Sequence, residues 1–476
     1  MILEPPAGPY PVGATTFILP VRPAKVIGTA GVRTESGEIA PALRLEEVSF
    51  TAYYPASHST TGERSRWLDW LPRYALPLAE SVRGYSRFTG ISQFLLWPLF
   101  FLFGSCIQVP ALLKVSPLRT NRSPSMDPVP ESMGQSMSQA PWPLIIFSHG
   151  LGGGATTYSK LCTHLASSGK VVLAMEHRDG TSPISRPRSE RTGELSSQLY
   201  IPSDQVVWSG SENLNGFQDR RLAFRAEQIE FRKREIYLAY SAFRKLVMTG
   251  ERGDLQTMDE LSLDWEPWTG GWVRCHEGVT LMGHSFGGAT VFALLTELSP
   301  KADDVSHIPV SRNIILDPWL EPLASPGPVP IIDPRLKSKH HKTLVINSES
   351  FTLWQDHFRR LKEVVPAWPE STLVTVVGAK HMSFSDIPFL TPIPIRDRAA
   401  RPIINVIKTL ALSFLDDTLP EVIRDLHKRK LEIKSDRSWF LAKKPKRRLV
   451  GQPGDAVIHR WGFDADIDNQ GATETK

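Results

Sequence analysis

The chain has 476 residues, of which 41% are hydrophobic and 22% are charged, a composition typical of a globular protein and unlike that of collagen or a disordered chain. Its 55 Lys and Arg residues exceed its 50 Asp and Glu residues by only five charges, and much of that excess lies in one C-terminal run, so we expect no nucleic-acid-binding face. The three scattered cysteines, Cys106, Cys162 and Cys275, favour a reducing compartment over a disulfide framework.

The N-terminal region contains no sign of secretion and one long apolar segment. Residues 1–13 have neither a basic region nor an apolar run, so we expect no signal peptide and an intracellular, cytoplasmic location. Residues 88–113 carry no charge, and about 20 apolar residues suffice to span a bilayer. Proline and glycine interrupt this segment, so we expect it to lie in a membrane interface, with a buried helix or a transmembrane span as the alternatives. The predicted interfacial anchors are aromatic: Trp97, Phe100, Phe101 and Phe103.

Two stretches resemble poorly ordered surface insertions. Residues 116–141 are rich in Ser, Pro and Met, and residues 185–211 are rich in Ser and Arg, compositions that bury little apolar surface. We therefore assign residues 1–420 to one domain with these two insertions. Residues 421–476 form a basic, poorly ordered tail in this interpretation, and the run at 443–448 (KKPKRR) is expected to be solvated.

From Leu144 onward, short apolar runs alternate with helical patterns, which predicts a mostly parallel central sheet with helices on both faces. The clearest helix spans residues 222–248, where apolar residues recur on one side, charges fill the rest and Gly250 follows. The predicted strands are residues 144–148, 171–175, 279–283, 313–317, 343–347 and 372–377.

The first two of these strands end in polar or glycine-rich loops. Residues 148–154 (SHGLGGG) resemble the oxyanion loops of lipases and esterases, in which glycine lets the backbone aim an amide inward. We expect the Leu151 amide to be that donor and His149 to be structural, and a phosphate loop is excluded because no Gly-Lys-Ser/Thr follows. Residues 176–179 (EHRD) are expected to form a structural charge network.

The third strand leads into Gly283-His284-Ser285-Phe286-Gly287, a G-x-S-x-G motif followed by a helical run. In this context the turn strains and exposes the serine, and the flanking glycines avoid a Cβ clash between strand and helix. We therefore predict Ser285 as a nucleophile, with a structural turn as the alternative. The amide of Phe286 is the second expected oxyanion donor.

A nucleophilic serine needs a base and an acid, which follow it in this type of fold. His381, directly after the last strand, is the predicted base, whereas His340 and His341 lie in a charged loop and are expected to be solvated. The acid is Asp317 or Glu349, each at a strand end; position does not decide between them, and Asp333 is a distant third. Because no metal-ligand motif occurs, we expect the chemistry to need no metal and no cofactor.

Several separated stretches resemble the platelet-activating factor acetylhydrolase family, in its plasma and intracellular type II branch. They are residues 8–13 (GPYPVG), 53–55 (YYP), 147–152 (FSHGLG), 176–179 (EHRD), 283–291 (GHSFGGATV) and 316–319 (LDPW). The resemblance covers about residues 8–417 and implies the α/β-hydrolase fold. It also implies calcium-independent removal of short or oxidised sn-2 acyl groups from phospholipids at a lipid surface.

The resemblance also implies the roles of individual residues. In that family the acid lies in a strand-end Asp-x-Trp motif, which here implies Asp317 as the acid, Ser285 as the nucleophile and His381 as the base. The amides of Leu151 and Phe286 are then the oxyanion donors. The insertion before Leu144, the longer tail and the looser pattern after His381 depart from the plasma members. A soluble carboxylesterase and a hydrolase-fold scaffold without turnover remain the alternatives.

Overall fold

The structure is a computed structural model that describes residues 3–34, 36–57, 66–70, 75–102, 107–113, 115–119, 140–188, 195–208, 216–258, 263–297, 305–325, 327–331, 341–390, 398–436 and 446–459. The strands are β1 (Val12–Val26), β2 (Ala30–Arg33), β3 (Ile39–Pro41), β4 (Arg44–Pro55), β5 (Arg66–Asp69), β6 (Gln108–Leu113), β7 (Trp142–Ser148), β8 (Val171–Glu176), β9 (Ile184–Ser185), β10 (Gln198–Leu199), β11 (Val207–Trp208), β12 (Gln256–Thr257), β13 (Val273–Arg274), β14 (Val279–His284), β15 (Val310–Leu316), β16 (Lys342–Ser348), β17 (Ser371–Val376), β18 (Ile433–Asp436), β19 (Lys446–Leu449) and β20 (Ala456–His459). The helices are α1 (Ala75–Thr89), α2 (Gln93–Leu102), α3 (Ser159–Ser167), α4 (Arg220–Thr249), α5 (Phe286–Leu295), α6 (Glu349–Thr352), α7 (Gln355–Val364), α8 (Ile387–Leu390), α9 (Ala400–Leu415) and α10 (Leu419–Asp425).

One large sheet organises the described residues. Its strand order is β20-β17-β16-β15-β14-β7-β8-β4-β1-β6-β5, with β12 beside β1 and β13 beside β7. The strands from β8 through β7, β14, β15 and β16 to β17 are all parallel. Since parallel strands point the same way, the loops after β7, β14, β15 and β17 emerge at one edge of the sheet.

Helices cover both faces of this sheet, as the alternation along β7 illustrates. Leu144 and Ile146 lie in the apolar cluster that contains residues of α4 and α5. Ile145 and Phe147 lie in the other cluster, with residues of α3 and α9. A strand turns successive side chains to opposite faces, so a continuous apolar run is what a sheet covered on both sides requires. The predicted fold class is confirmed, and all six predicted strands and the long helix are present.

The N-terminal half adds an antiparallel extension that the sequence analysis did not predict. β1 pairs antiparallel with β4, and β4 pairs antiparallel with β8. The apolar segment 88–113 is divided between α2 and β6, and β6 pairs with β1 and β5 inside the sheet. The second part of the segment, which was predicted to lie in a membrane interface, is therefore a strand of the central sheet.

Helix α2 carries the exposed part of the segment. Phe94 is 83% exposed and Phe101 is 63% exposed, whereas Phe100 packs on Tyr85 of α1 with ring centroids 5.1 Å apart. Phe100, a predicted interfacial anchor, is thus partly covered by α1, and Phe103 lies outside the described residues. Within the part of the chain that the structure describes, no helix has both the length and the apolarity to cross a membrane.

The two predicted insertions are only partly described. Most of 116–141 lies outside the described residues, as do 189–194 and 209–211 of the second insertion. The described parts of 185–211 are held by pairing, since β10 pairs with β9 and β11 pairs with β2. They are thus attached to the body of the fold.

The predicted boundary at residue 420 differs from the structure, because α10 crosses it. Beyond residue 420, β20 pairs antiparallel with β17 and forms the outermost strand on that side of the sheet. Ala456 and Val457 of β20 are buried there. An unpaired strand edge leaves backbone groups unsatisfied, which explains why a tail segment joins it. Residues 443–445 of the basic run lie outside the described residues, and 446–448 belong to β19, which pairs with β18.

Asp455, directly before β20, bonds to several neighbouring groups, and replacing it tests whether the C-terminal strand contributes to stability. Its carboxylate accepts hydrogen bonds from Arg429 Nε at 2.9 Å, from the Gln452 amide at 2.8 Å and from His427 Nδ1 at 2.6 Å. We expect Asp455→Ala to lower the free energy of unfolding by about 1–3 kcal/mol, because it leaves these donors without their acceptor. The control Asp356→Ala removes a carboxylate that is 83% exposed and should change it by about 0.5 kcal/mol or less. Urea titrations compare the two, and equal effects would contradict the assignment.

Candidate active site

Ser285 lies on the sharp turn between β14 and α5. Its backbone has φ 56° and ψ −115°, a left-handed region that strains a residue with a Cβ. A Cβ on Gly283 would lie 2.3 Å from the Gly287 carbonyl oxygen, and a Cβ on Gly287 would lie 2.0 Å from the Ser148 carbonyl oxygen. Both flanking positions therefore require glycine, as the motif predicted.

The structure brings three predicted residues into one hydrogen-bonded row. Ser285 Oγ lies 2.9 Å from His381 Nε2, and His381 Nδ1 lies 2.8 Å from Asp317 Oδ2. A carboxylate only accepts, so Nδ1 carries the proton and Nε2 accepts from the Ser285 hydroxyl. The imidazole is thus oriented to take the serine proton. Its side chain is 31% exposed, whereas Asp317 is fully buried.

Asp317 is held by the end of the next strand. It follows β15 with φ 45°, and its two carboxylate oxygens accept from the Ser348 amide and the Ser348 hydroxyl, both at 2.6 Å. These bonds hold the carboxylate where Oδ2 accepts from His381 Nδ1. Ser348 was not predicted as part of the site; it is the last residue of β16 and directly follows the predicted strand at 343–347.

The other candidates for the acid and the base do not contact Ser285 or His381 among the described residues. Glu349 accepts from the Gly378 amide at 2.7 Å and the Leu449 amide at 3.1 Å, so its carboxylate is engaged by backbone and not by the histidine. His341 precedes the start of β16, a strand length away from Ser348, or roughly 20 Å. His340 and Asp333 lie outside the described residues.

Aromatic rings hold the His381 imidazole, and the sequence analysis did not predict them. Phe351 stacks on it with centroids 4.3 Å apart and an interplanar angle of 2°, and His284 lies on it at 4.6 Å. The Gly150 amide donates to Tyr158 Oη at 3.1 Å, and Tyr158 Oη forms a hydrogen bond with His284 Nδ1 at 2.8 Å. Burial, followed by the nearby His381, holds the pKa of His284 well below its usual range. His284 is therefore a neutral support of the site.

Of the two predicted oxyanion donors, Leu151 lies in the loop after β7 and Phe286 directly follows Ser285. A Cβ on Gly150 would approach the Ser285 Cβ to 3.1 Å, so the loop after β7 lies against the serine. The amides of Gly152 and Gly153 donate to the carbonyl oxygens of Thr181 and Gly150. Among the described residues, no acceptor lies on the Leu151 amide. Phe286 is the first residue of α5, and such an amide has no partner within its helix.

The charged residues after β8 form a buried network. His177 contacts Ser148 Oγ at 2.8 Å and Glu235 at 2.6 Å, and Arg178 pairs with Glu47 at 2.7 Å. Asp179 pairs with Arg232 at 2.7 Å. The network is structural, as the sequence suggested, but its partners on α4 and β4 were not predicted. His149 belongs to it, and burial lowers its pKa to about 3.

One group among the described residues has donor atoms close enough to hold a metal ion: His284, Asp317 and His381. The same atoms of Asp317 and His381 make the hydrogen bonds described above. A metal would have to displace these bonds, so we assign no ion to the group.

Parallel strands that carry a serine, an acid and a histidine to one edge, with the serine on a strand-to-helix turn, place the protein in the class of α/β-hydrolases. A family model described as platelet-activating factor acetylhydrolase, isoform II, matches residues 3–401. The chain therefore belongs to that family, which confirms the resemblance seen in its motifs.

Curated relatives agree with the family. The chain is 28% identical over 346 residues to a platelet-activating factor acetylhydrolase of Canis lupus familiaris, covering 71% of the chain and 63% of the relative. It is 27% identical to that of Cavia porcellus, covering 81% and 69%. It is 29% identical to a putative phospholipase A2 of Schizosaccharomyces pombe, covering 52% and 60%. The chain thus spans about two thirds or less of these relatives.

A solved structure agrees with the fold. A ferulic acid esterase from Streptomyces cinnamoneus superposes with a TM-score of 0.50 and 16% identity, covering 97% of this chain and 99% of that one. At that identity the likeness concerns the fold alone.

The two carboxylates give a matched test of the acid. We expect Asp317→Asn to lower kcat on an activated ester by about 10⁴-fold, because the histidine loses its tautomer and its charge partner. Glu349→Gln should leave kcat within about threefold and instead lower thermal stability, since its carboxylate holds two backbone amides. Steady-state kinetics and thermal melts on both variants separate these effects. A larger loss of kcat in Glu349→Gln would overturn the assignment.

Proposed function

We propose that this protein hydrolyses the sn-2 ester of phospholipids, with short or oxidised acyl groups as its substrates, without calcium and through an acyl-enzyme. The observation that carries the proposal is the row from Ser285 Oγ to His381 to Asp317, with separations of 2.9 and 2.8 Å. The names of the relatives, acetylhydrolases of platelet-activating factor and a putative phospholipase A2, support a phospholipid as the substrate.

Each residue has a defined part in the proposed reaction. His381 Nε2 takes the proton as Ser285 Oγ attacks the ester carbonyl carbon, and Asp317 stabilises the imidazolium. The amides of Leu151 and Phe286 donate to the oxyanion of the tetrahedral intermediate. The lysophospholipid leaves with the proton from His381, and water then releases the acyl group by the same steps.

We propose that α2 brings the enzyme to its substrate by lying in a lipid surface. The helix carries no charge, and its outer side presents a row of apolar side chains to solvent: Phe94, Leu95, Trp97, Leu99, Phe101 and Leu102. Contiguous exposed apolar surface on a water-facing helix favours insertion at an interface. We further propose a reducing, intracellular location, because Cys162 and Cys275 are buried free thiols.

The nucleophile is tested by the release of acyl groups. We expect wild type to release acetate from an acetylated phospholipid in EGTA, and Ser285→Ala to lower that rate by about 10⁴-fold or more. Ser36→Ala, which changes an exposed serine, is the matched control and should retain full activity. Near-normal turnover by Ser285→Ala would contradict the mechanism.

A long-chain phospholipid assayed in parallel defines the acyl pocket. Release of both groups would indicate a broader phospholipase, and release of neither, with activity on a small ester, would favour a soluble carboxylesterase. Labelling of Ser285 by an organophosphonate counts against a scaffold without turnover.

The lipid contact is tested on α2. We expect Phe94→Asp and Phe101→Asp each to weaken binding to phosphatidylcholine vesicles by about 10-fold or more, since burying a Phe is worth about 1.5–3 kcal/mol. Turnover of a water-soluble ester should not change. Val329→Asp, at a site 61% exposed outside α2, is the control. Vesicle flotation measures the binding, and unchanged binding of both α2 variants would contradict the contact.

A further inference from the structure

Helix α4 buries a polar stripe beneath the candidate active site. Four residues at three- and four-residue spacing face the sheet side of this helix and are fully or almost fully buried: Arg225, Gln228, Arg232 and Glu235. Buried charges are tolerated where partners satisfy them. Of the four, Arg232 is the one whose guanidinium contacts both segments that carry the expected oxyanion donors, namely the loop after β7 and the start of α5.

Arg232 supports the loop after β7 on both sides of Leu151, directly on the N-terminal side and through Thr181 on the C-terminal side. Its Nη1 donates to the His149 carbonyl oxygen at 2.7 Å, just before Gly150 and Leu151. Its Nη2 donates to Thr181 Oγ1, and the Thr181 carbonyl oxygen accepts from the Gly152 amide at 3.0 Å. The backbone on either side of the Leu151 amide is therefore fixed through one guanidinium.

The same guanidinium contacts the turn that carries the nucleophile. Its central carbon lies 4.5 Å from the centre of the Phe286 ring, and Phe286 provides the second expected donor. Asp179 accepts from Arg232 Nε at 2.7 Å and from the Thr181 amide at 3.0 Å, so it neutralises the charge and orients the guanidinium. Only arginine presents several donors in a fixed plane that also stacks on an aromatic ring.

We propose that Arg232 is a positioning residue that sets the two oxyanion amides, of Leu151 and Phe286, at their working separation. This inference rests on the proposed function. Oxyanion donors act on the transition state only if they are already in place, and a displacement of about 1 Å costs roughly 100-fold in rate. For a residue of equal burial that only stabilises the fold, we expect a loss of stability without this effect on kcat.

The test compares Arg232→Lys with Arg178→Lys. Arg178 is a matched control because it is also buried and pairs with a buried carboxylate, that of Glu47, on a side away from the loop after β7. Both variants are assayed well below their melting temperatures on p-nitrophenyl acetate, with active sites counted by organophosphonate titration. Affinity for a trifluoromethyl ketone, which forms a tetrahedral adduct with the serine, is measured as well.

For Arg232→Lys we expect kcat to fall by about 10- to 100-fold with KM changed by less than about threefold. Ketone affinity should fall in parallel with kcat/KM. For Arg178→Lys we expect a loss of stability with kcat within about threefold of wild type. Equal kcat losses in the two variants, or a rise in KM at constant kcat, would overturn the proposal.

A second variant keeps the test decisive if Arg232→Lys does not fold. Thr181→Val keeps the side-chain volume and removes the hydroxyl that links Arg232 to the support of the Gly152 amide; we expect a smaller fall in kcat, about 3- to 10-fold, again at constant KM. An unchanged kcat in Thr181→Val would contradict the positioning role. A wild type that neither turns over the ester nor reacts with the phosphonate would contradict the proposed function itself, whereas an active wild type with an equally active Arg232→Lys contradicts only the role of Arg232.

Discussion

The close approach of backbone segments at Ser285 is the constraint on which the rest of the structure depends. The turn at Gly287 lies so near the Ser148 carbonyl that no Cβ fits, and the Ser285 amide donates to the Leu316 carbonyl oxygen at 2.9 Å. These contacts bring the ends of β7, β14 and β15 together. Because the three strands are parallel and adjacent, the serine, the oxyanion loop and Asp317 then meet at one edge without any further adjustment.

The support of this edge is polar, which is costly in a buried region. Burial raises the pKa of Glu235 well above its ordinary value and holds the pKa of His177 well below its own, so the pair resists charging. Asp179 and Arg232 are completely buried, and such pairs contribute little net stability compared with apolar residues of equal size. What they provide is a single arrangement of loops, because each hydrogen bond is lost if a loop moves. The polar stripe on α4 therefore fixes the positions of the loops more than it raises the stability of the fold.

The sequence predicted those parts of the structure that depend on residues close together in the chain. Apolar runs of five or six residues marked the parallel strands, and the G-x-S-x-G context located Ser285. Position along the chain did not decide whether Asp317 or Glu349 is the acid, and only the family resemblance favoured Asp317. The two carboxylates differ in the groups that they bond to in the folded chain, which the local sequence does not show. The burial of Arg232 had no local signal, since its partner Asp179 is 53 residues away in the chain. The four-residue strand β20 was missed for a similar reason, as its apolar residues are recognisable only against β17.

The C-terminal extension is part of the support of the histidine. The family model ends at residue 401, yet the loop that leads from β17 to His381 is bonded to residues far beyond it. The Val377 amide donates to the Asp455 carbonyl oxygen at 2.9 Å, and the Gly454 amide donates to the Val377 carbonyl oxygen at 3.0 Å. Glu349 joins the same loop to β19 by accepting from the Gly378 and Leu449 amides. Glu349, which position along the chain left as a candidate for the acid, thus holds the backbone that follows β17, so its carboxylate contributes to the stability of this region and not to the proton transfer.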